Sequence, residues 1–454
     1  MLHKKGKEVP QMLINFTVGN WMSFRDKTSF SLVATREQQH GDRLAKLGKY
    51  RMRVLPTAAL YGGNASGKTN FFKAINFAKQ FITRSLLPDY PIKVEPFLLD
   101  GAYATKPVLF HFEILVDDDI YELEFALTST KVIEERLVKI SSVNEKVLYH
   151  RIEGRSDPQL HASITSQRLL FAFEGTRENQ LFITNSVFQN IPTFRNVFQW
   201  FDETLVLVAP DTRFESFEHL FTGVTPLYET MNSILPNLDT GIFSLEGEEV
   251  SLDSLLIPDE LKQKVKEDAK SNMTIKLNDQ DEKIIVTRDD GKLSVKKLYT
   301  YHKDSQGNNT RFEMRQESDG SKRILDLLPA FLDLANSTAP KVYFIDEIDR
   351  NLHSLLTQQL LKVYLASCSQ TSRNQLIFTT HDLLLMNQSM FRRDEMWVTE
   401  RKQDGSSSLV GFSEYEDVRS DKDILKSYLQ GRMGGIPTTM ADDIFVVAER
   451  HSYE

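Results

Sequence analysis

The sequence predicts an α/β fold with an antiparallel β subdomain and a helical insertion, and three observations carry that expectation. Short apolar runs (Ala58 to Tyr61, Val342 to Ile345 and Gln375 to Thr380) each deliver a polar or glycine residue at the C-terminal end, where parallel sheets gather ligands. Amphipathic helical patterns stand among them, with Phe71, Phe72, Ile75 and Ala78 on one face of the first and Ile324, Leu327, Leu328, Phe331 and Leu332 on one face of another. Between them lie β-rich runs, Val108 to Val116 and Tyr121 to Leu127, separated by Asp117-Asp118-Asp119, a hairpin signal.

Composition is compatible with this. The chain has 454 residues, 41% apolar and 26% charged, which suits a globular protein with a sizeable core. That length accommodates one large domain with an insertion, or two to three ordinary ones. No stretch approaches the roughly 20 uncharged apolar residues that cross a bilayer. The basic start (His3, Lys4, Lys5, Lys7) meets Glu8 and Pro10 with no apolar segment between, unlike a signal peptide. The one cysteine, Cys368, allows neither an internal disulfide nor a cysteine-rich zinc site. A cytoplasmic protein with no membrane partner is expected. The net charge of −8 argues mildly against a free-standing nucleic-acid coat protein, while leaving room for a local basic groove and DNA.

Along the chain, residues 1–11 read as a flexible extension. Residues 12–209 read as the first part of the main domain. Strands run from Leu13 to Val18, from Thr28 to Val33 and up to Tyr61, then come a glycine-rich turn, a helix and the β subdomain. Residues 210–277 carry helix-like periodicity broken by Pro226, Pro236 and Pro258 and read as a helical insertion with no sustained heptads. Residues 278–454 read as the second part of the domain, its chemistry gathered between Glu317 and Asp382.

Gly62-Gly63-Asn64-Ala65-Ser66-Gly67-Lys68-Thr69 fits G-x-x-x-x-G-K-[ST] without exception, after an apolar run and before a helix. Glycines let successive backbone N–H groups turn inward onto phosphate oxygens, and the helix adds the positive end of its dipole. Lys68 would place a charge on the β- and γ-phosphates, and the Thr69 hydroxyl would bind Mg2+. The plain alternative is a glycine turn with an incidental lysine. The preceding strand and following helix favour a P-loop, and hence a P-loop NTPase.

Asp346 and Glu347 close the run Val342 to Ile345. Asp346 suits the hydration shell of Mg2+, and Glu347 suits a general base for the attacking water. A structural alternative has Asp346 capping a helix that starts near Arg350. His381, after the next β-run, is placed to donate a hydrogen bond to the γ-phosphate or the water; alone it reads as a loop residue. Ser318 and Gly320 precede a helix and could bind an anion at its N-terminus, or Ser318 or Ser321 could simply be an N-cap.

The order of these motifs resembles the heads of ABC-type ATPases across nearly the whole chain: P-loop, long intervening segment, Ser-x-Gly helix, strand ending in Asp-Glu, strand ending in His. That resemblance implies ATP and Mg2+ as cofactors. It implies ATPase activity and a homodimer or higher homo-oligomer in which Ser318 and Gly320 of one protomer complete the nucleotide pocket of another. Gln180 and Gln189 are the candidates for the family's magnesium-sensing glutamine. His353 stands where many heads carry an aspartate.

Further segments resemble bacterial AAA family ATP-binding proteins related to overcoming-lysogenization-defect and RecF/SMC-like ATPases. They are Ile14-Asn15-Phe16, Trp21 to Arg25, Tyr61 to Asn70, Asp346 to His353 and Tyr428 to Pro437. In that group Asn70 belongs to the nucleotide motif. The ATPase often stands beside a nuclease-like effector in phage defence, as in AbiL with its RloB-like partner and in PARIS-like systems. A partner effector, nuclease or toxin, encoded nearby is therefore expected, since this chain has no evident nuclease cluster. The alternative is a RecF/SMC-like DNA-repair or DNA-sensing ATPase. A transporter subunit fits least, because no coupling segment is recognisable.

Overall fold

Along Gln11–Gly19, Phe16 and Val18 are buried while Asn15 and Thr17, which alternate with them, are half-buried, the period-two pattern of a sheet with one packed face. This strand, β1, enters a seven-stranded sheet. The computed structural model describes residues 10–155, 159–210, 226–255, 258–260, 262–263, 275–279, 282–289, 292–336, 339–415 and 424–431. They divide into two compact units, one of residues 1–207, 339–347 and 368–454, the other of residues 208–338 and 348–367.

In the first unit β1 pairs with β2 (Thr28–Ser31) on one side. A small hairpin of β3 (Ala45–Leu47) and β4 (Met52–Val54) follows, then β5 (Thr57–Tyr61) and helix α1 (Lys68–Thr83). On its other side β1 pairs with β6 (Val108–Val116), and an antiparallel run continues through β7 (Asp119–Leu127), β8 (Val132–Ile140), β9 (Glu145–Ile152) and β10 (Gln159–Leu160). The expected hairpin is there. Its turn is Asp117-Asp118, with φ of 53° and 67°, the left-handed pair a two-residue hairpin needs and that aspartate tolerates.

The other sheet of this unit has the order β11 (Leu205–Val208), β17 (Val342–Ile345), β18 (Gln375–Thr379), β5, β19 (Met396–Arg401), β20 (Ser407–Gly411). Strands β17, β18, β5 and β19 run parallel to one another, and β20 closes the edge antiparallel. All residues of β5, β17 and β18 are buried, as parallel strands covered on both faces should be. Helix α1 lies between the two sheets. Phe71 meets Phe16, Phe24 and Phe30 of the antiparallel side at centroid distances of 5.4, 5.8 and 5.6 Å. Phe72 meets Phe344 of β17 at 5.2 Å. Each such ring contributes about 1.5–3 kcal/mol through burial.

The second unit has a five-stranded antiparallel sheet of β12 (Ser244–Glu249), β13 (Ile275–Asp279), β14 (Glu282–Asp289), β15 (Lys292–Lys303) and β16 (Asn309–Glu313), with β15 paired to three of the others. Its described helices include α2 (Pro226–Ile234), α3 (Asp319–Asn336) and α4 (Ser354–Ser367).

Two expectations need correction. The 210–277 stretch does hold a helix, α2, but also β12 and β13, so it is a mixed α/β element whose sheet continues past residue 277 to Glu313. The strand β12 is acidic and poor in β-branched residues. In the ladder Glu248 and Glu249 stand opposite Lys297 and Lys296, and Glu248 also pairs with Arg311 at 2.7 Å. The helix expected near Arg350 begins instead at Ser354, since Asn351 adopts φ of 60°, so Asp346 caps no helix there. Of the expected 1–11 extension, residues 1–9 lie outside the described residues and Gln11 already opens β1. Residues 211–225, 256–257, 261 and 264–274 of the insertion, and 432–437 of the late Tyr428 to Pro437 segment, also lie outside them.

Candidate functional site

The loop between β5 and α1 takes the path its glycines allow. Gly62 has φ of 150°, and a Cβ there would stand 2.4 Å from Thr399 Oγ1. Gly67 has φ of 120°, and a Cβ would stand 2.6 Å from Ser407 Oγ. Both positions combine a backbone that L-residues avoid with a space only hydrogen can occupy. Ser66 Oγ and Thr399 Oγ1 are 2.6 Å apart, tying the loop to β19.

Lys68 is buried, and its Nζ donates to Gly62 O at 2.6 Å and Gly63 O at 3.0 Å, with His381 Nδ1 at 3.3 Å. Asn70 turns its amide to Ser23 Oγ at 2.8 Å, while Trp21 Nε1 donates to Asn70 O at 3.0 Å. The Trp21 to Arg25 segment therefore braces the start of α1.

Asp346 follows β17 and is fully buried. Burial pushes its carboxyl above the usual range, with the neighbouring Glu347 charge in the same sense. Hydrogen bonds from Thr379 and Thr69, and the Lys68 charge, oppose the shift. Glu347 has φ of 50°, and its side chain lines the cavity with His381.

That cavity has a volume of about 760 Å³. It is lined by Gly63, Asn64, Ala65, Ser66, Gly67, Lys68, Thr69 and Asn70, by Glu347 and His381, and by residues that sequence reasoning did not single out: Val94 to Leu99, Arg401 and Gly405. No motif marks these last; the apolar stretch Pro96-Phe97-Leu98-Leu99 beside a loop was the available signal. Gly62 and Asp346 are not among the lining residues.

The residues fit a magnesium ion. Thr69 and Asp346 are hydrogen-bonded to each other and offer only oxygen, and the charges of Lys68 and Glu347 both act on Asp346. Oxygen donors of this kind suit a hard cation that also binds phosphate.

Ser318 and Gly320 are in the second unit and line a separate cavity of about 510 Å³ with Asp239, Thr240, Asn351 and His353. Ser318 Oγ accepts the Ser321 N–H at 3.0 Å, the N-cap bond at the start of α3. His353 caps α4 in the same manner, its Nδ1 accepting the Leu355 N–H at 3.2 Å. Neither glutamine candidate lines the phosphate-loop cavity. Gln180 Nε2 donates to Ser85 Oγ at 2.9 Å, and Gln189 Nε2 donates to Asn185 Oδ1 at 3.2 Å.

A parallel sheet whose strand ends present a glycine loop, an Asp-Glu pair and a histidine defines a P-loop NTPase fold of ABC-ATPase type. Residues 58–387 match the family described as "AAA domain, putative AbiEii toxin, Type IV TA system", and the chain belongs to that family. Two solved structures are similar at 13% identity. One is an SMC head bound to the C-winged helix domain of ScpA, with a TM-score of 0.36 and coverage of 88% of this chain and 97% of that one. The other is the SMC head domain from Thermotoga maritima, with a TM-score of 0.34 and coverage of 88% and 98%. No curated protein matches. Among the described residues no helix is long and apolar enough to cross a membrane.

Proposed function

We propose that the chain binds and hydrolyses Mg·ATP, and that as a nucleotide-clamped homodimer or higher oligomer it controls an effector, a nuclease or toxin, in anti-phage defence. One observation carries the ATPase reading. Lys68, Thr69, Asp346, Glu347 and His381 converge where β5, β17 and β18, three neighbouring parallel strands, all end.

In this reading the N–H groups of residues 63–68 cradle the phosphates, and Lys68 turns to them from the carbonyls of its own loop. Thr69 and Asp346 hold the magnesium ion, which supplies neutralisation of phosphate charge. Glu347 takes a proton from the attacking water, and His381 orients the water or the γ-phosphate. The apolar wall around Phe97, Leu98 and Leu99 receives the nucleobase. Ser318 and Gly320 serve the pocket of a second protomer. The defence part rests on the likeness of the segments named above to phage-defence ATPases; the family's own description names a putative toxin of a type IV TA system.

Phosphate release by the purified protein, lost in Lys68→Ala, tests the ATPase reading. Co-purification with the neighbouring gene product, together with phage challenge of a Lys68→Ala strain, tests the defence reading. A housekeeping neighbour and undiminished resistance would sink it.

A DNA-sensing ATPase has one observation in its favour. In the β3–β4 hairpin Lys46 stands directly opposite Arg53, and Arg373 Nη2 donates to the Lys46 carbonyl at 3.0 Å. Like charges opposed across strands are unfavourable without an anion. ATP-dependent duplex binding that weakens steeply with salt is its signature.

A further inference from the structure

The middle strand of the parallel trio, β18, ends in a residue to which the roles above give nothing to do. Thr379 is fully buried. Its strand is flanked by β17, with Ile345 opposite Phe378, and by β5, with Leu60 opposite Thr379. The register therefore sets Thr379 beside the Asp-Glu pair on one side and the strand that feeds the phosphate loop on the other.

Its hydroxyl is used twice. Thr379 Oγ1 donates to Asp346 Oδ1 at 2.5 Å and accepts the backbone N–H of Glu347 at 2.8 Å. A hydroxyl has one proton and two lone pairs, so the directions are settled: the proton belongs to Asp346 and a lone pair to Glu347. Glu347 is also left-handed, with φ of 50°, a conformation that residues with a Cβ hold only when their surroundings impose it. That turn gives two adjacent acids different destinations. Asp346 stays buried against Thr69 and Thr379, while Glu347 reaches the cavity.

We propose that Thr379 is a positioning residue for catalysis, its hydroxyl holding Asp346 and the Glu347 backbone in the divergent arrangement that hydrolysis needs. The inference rests on the ATPase reading. A serine hydroxyl makes both bonds; valine has the shape of threonine and makes neither.

The experiment uses the full chain. Turnover is measured by phosphate release at saturating Mg·ATP. ATP affinity is measured separately in EDTA, where no cation involves Asp346. Thr379→Val is expected to lower kcat by about 10- to 100-fold, the scale of a misplaced catalytic group, with ATP affinity in EDTA within about threefold of wild type. Thr379→Ser is expected to restore kcat to within about threefold of wild type. Thr379→Ala, which adds no methyl against the buried carboxylate, repeats the loss should the valine variant misfold.

Wild-type turnover in the valine and alanine variants overturns the inference alone, as does a serine variant as slow as the valine one. An ATP affinity that falls in step with kcat also overturns it, because the residue would then only build the pocket. An inert wild-type protein overturns the ATPase reading and the inference with it.

Discussion

Lys68 Nζ stands 3.3 Å from His381 Nδ1. An ammonium only donates, so Nδ1 accepts, and a neutral His381 carries its proton on Nε2. The same ammonium is held by two carbonyls of its own loop. A lysine from the start of α1 and a histidine just past the end of β18 thus meet at the phosphate-loop cavity. Lys68→Ala should weaken ATP binding by about 10- to 100-fold, the loss of charge-assisted bonds to phosphate. His381→Ala should bind ATP nearly as wild type and lose about 100-fold in kcat. Calorimetric binding beside steady-state phosphate release separates the two; equal losses of binding in both variants would refute the division of roles.

Glu347→Gln keeps the size of the side chain and removes its basicity. Its kcat should fall by about 100-fold or more while ATP stays bound. Trapped ATP should then raise the population of dimer, read as a doubling of mass in light scattering with ATP and Mg2+. Normal turnover in this variant would remove Glu347 from the role of base.

Much of this site was legible in the sequence because its chemistry sits at ends of apolar strands. Gly62 to Thr69, Asp346-Glu347 and His381 were readable as strand, then candidate residue; the cavity gathers Gly63 to Thr69, Glu347 and His381, and Asp346 joins them through its hydrogen bond with Thr69. Thr379 was not readable. A threonine in a strand looks like ordinary β propensity, and only the register of β17 against β18 shows what its hydroxyl reaches. The strand β12 was hidden for a different reason. Its glutamates lack strand character, and the lysines that stand opposite them lie some fifty residues later. The helix start was misplaced by a single left-handed residue, Asn351, for which the sequence offers only a weak cue.

Glu395 gives a pH test of the fold around β19. It is fully buried beside Arg43, whose guanidinium hydrogen-bonds to it, and its Oε2 also accepts the Arg392 N–H at 2.9 Å. Burial outweighs the arginine and pushes its carboxyl up from 4.5 to about 7. Between those values the native chain holds a proton that the unfolded chain has released. Stability from this group is therefore full below about pH 4.5 and falls as pH rises through 7, by roughly 3 kcal/mol. Glu395→Gln, which cannot ionise, should flatten that part of the profile. Denaturant titrations at pH 5 and pH 8 check it, and parallel profiles for the two proteins would contradict it.

Gly320 provides the sharpest test of a second protomer. A Cβ at this position would stand 2.9 Å from the Asn351 carbonyl oxygen. Asn351 is itself left-handed, so the oxygen has little freedom to retreat. Gly320→Ala should therefore push the start of α3, with Ser318, away from the 348–353 turn. The phosphate-loop cavity contains neither Ser318 nor Gly320, so ATP affinity of the isolated chain should change little. If the Ser318 end of α3 completes a partner's pocket, turnover and the ATP-dependent dimer should both fall by about tenfold or more, as when a preorganised anion site is displaced. Introducing Gly320→Ala into the Glu347→Gln protein isolates the effect from hydrolysis. A double variant that still dimerises with ATP as readily as Glu347→Gln alone would show that this helix tip plays no part in the clamp.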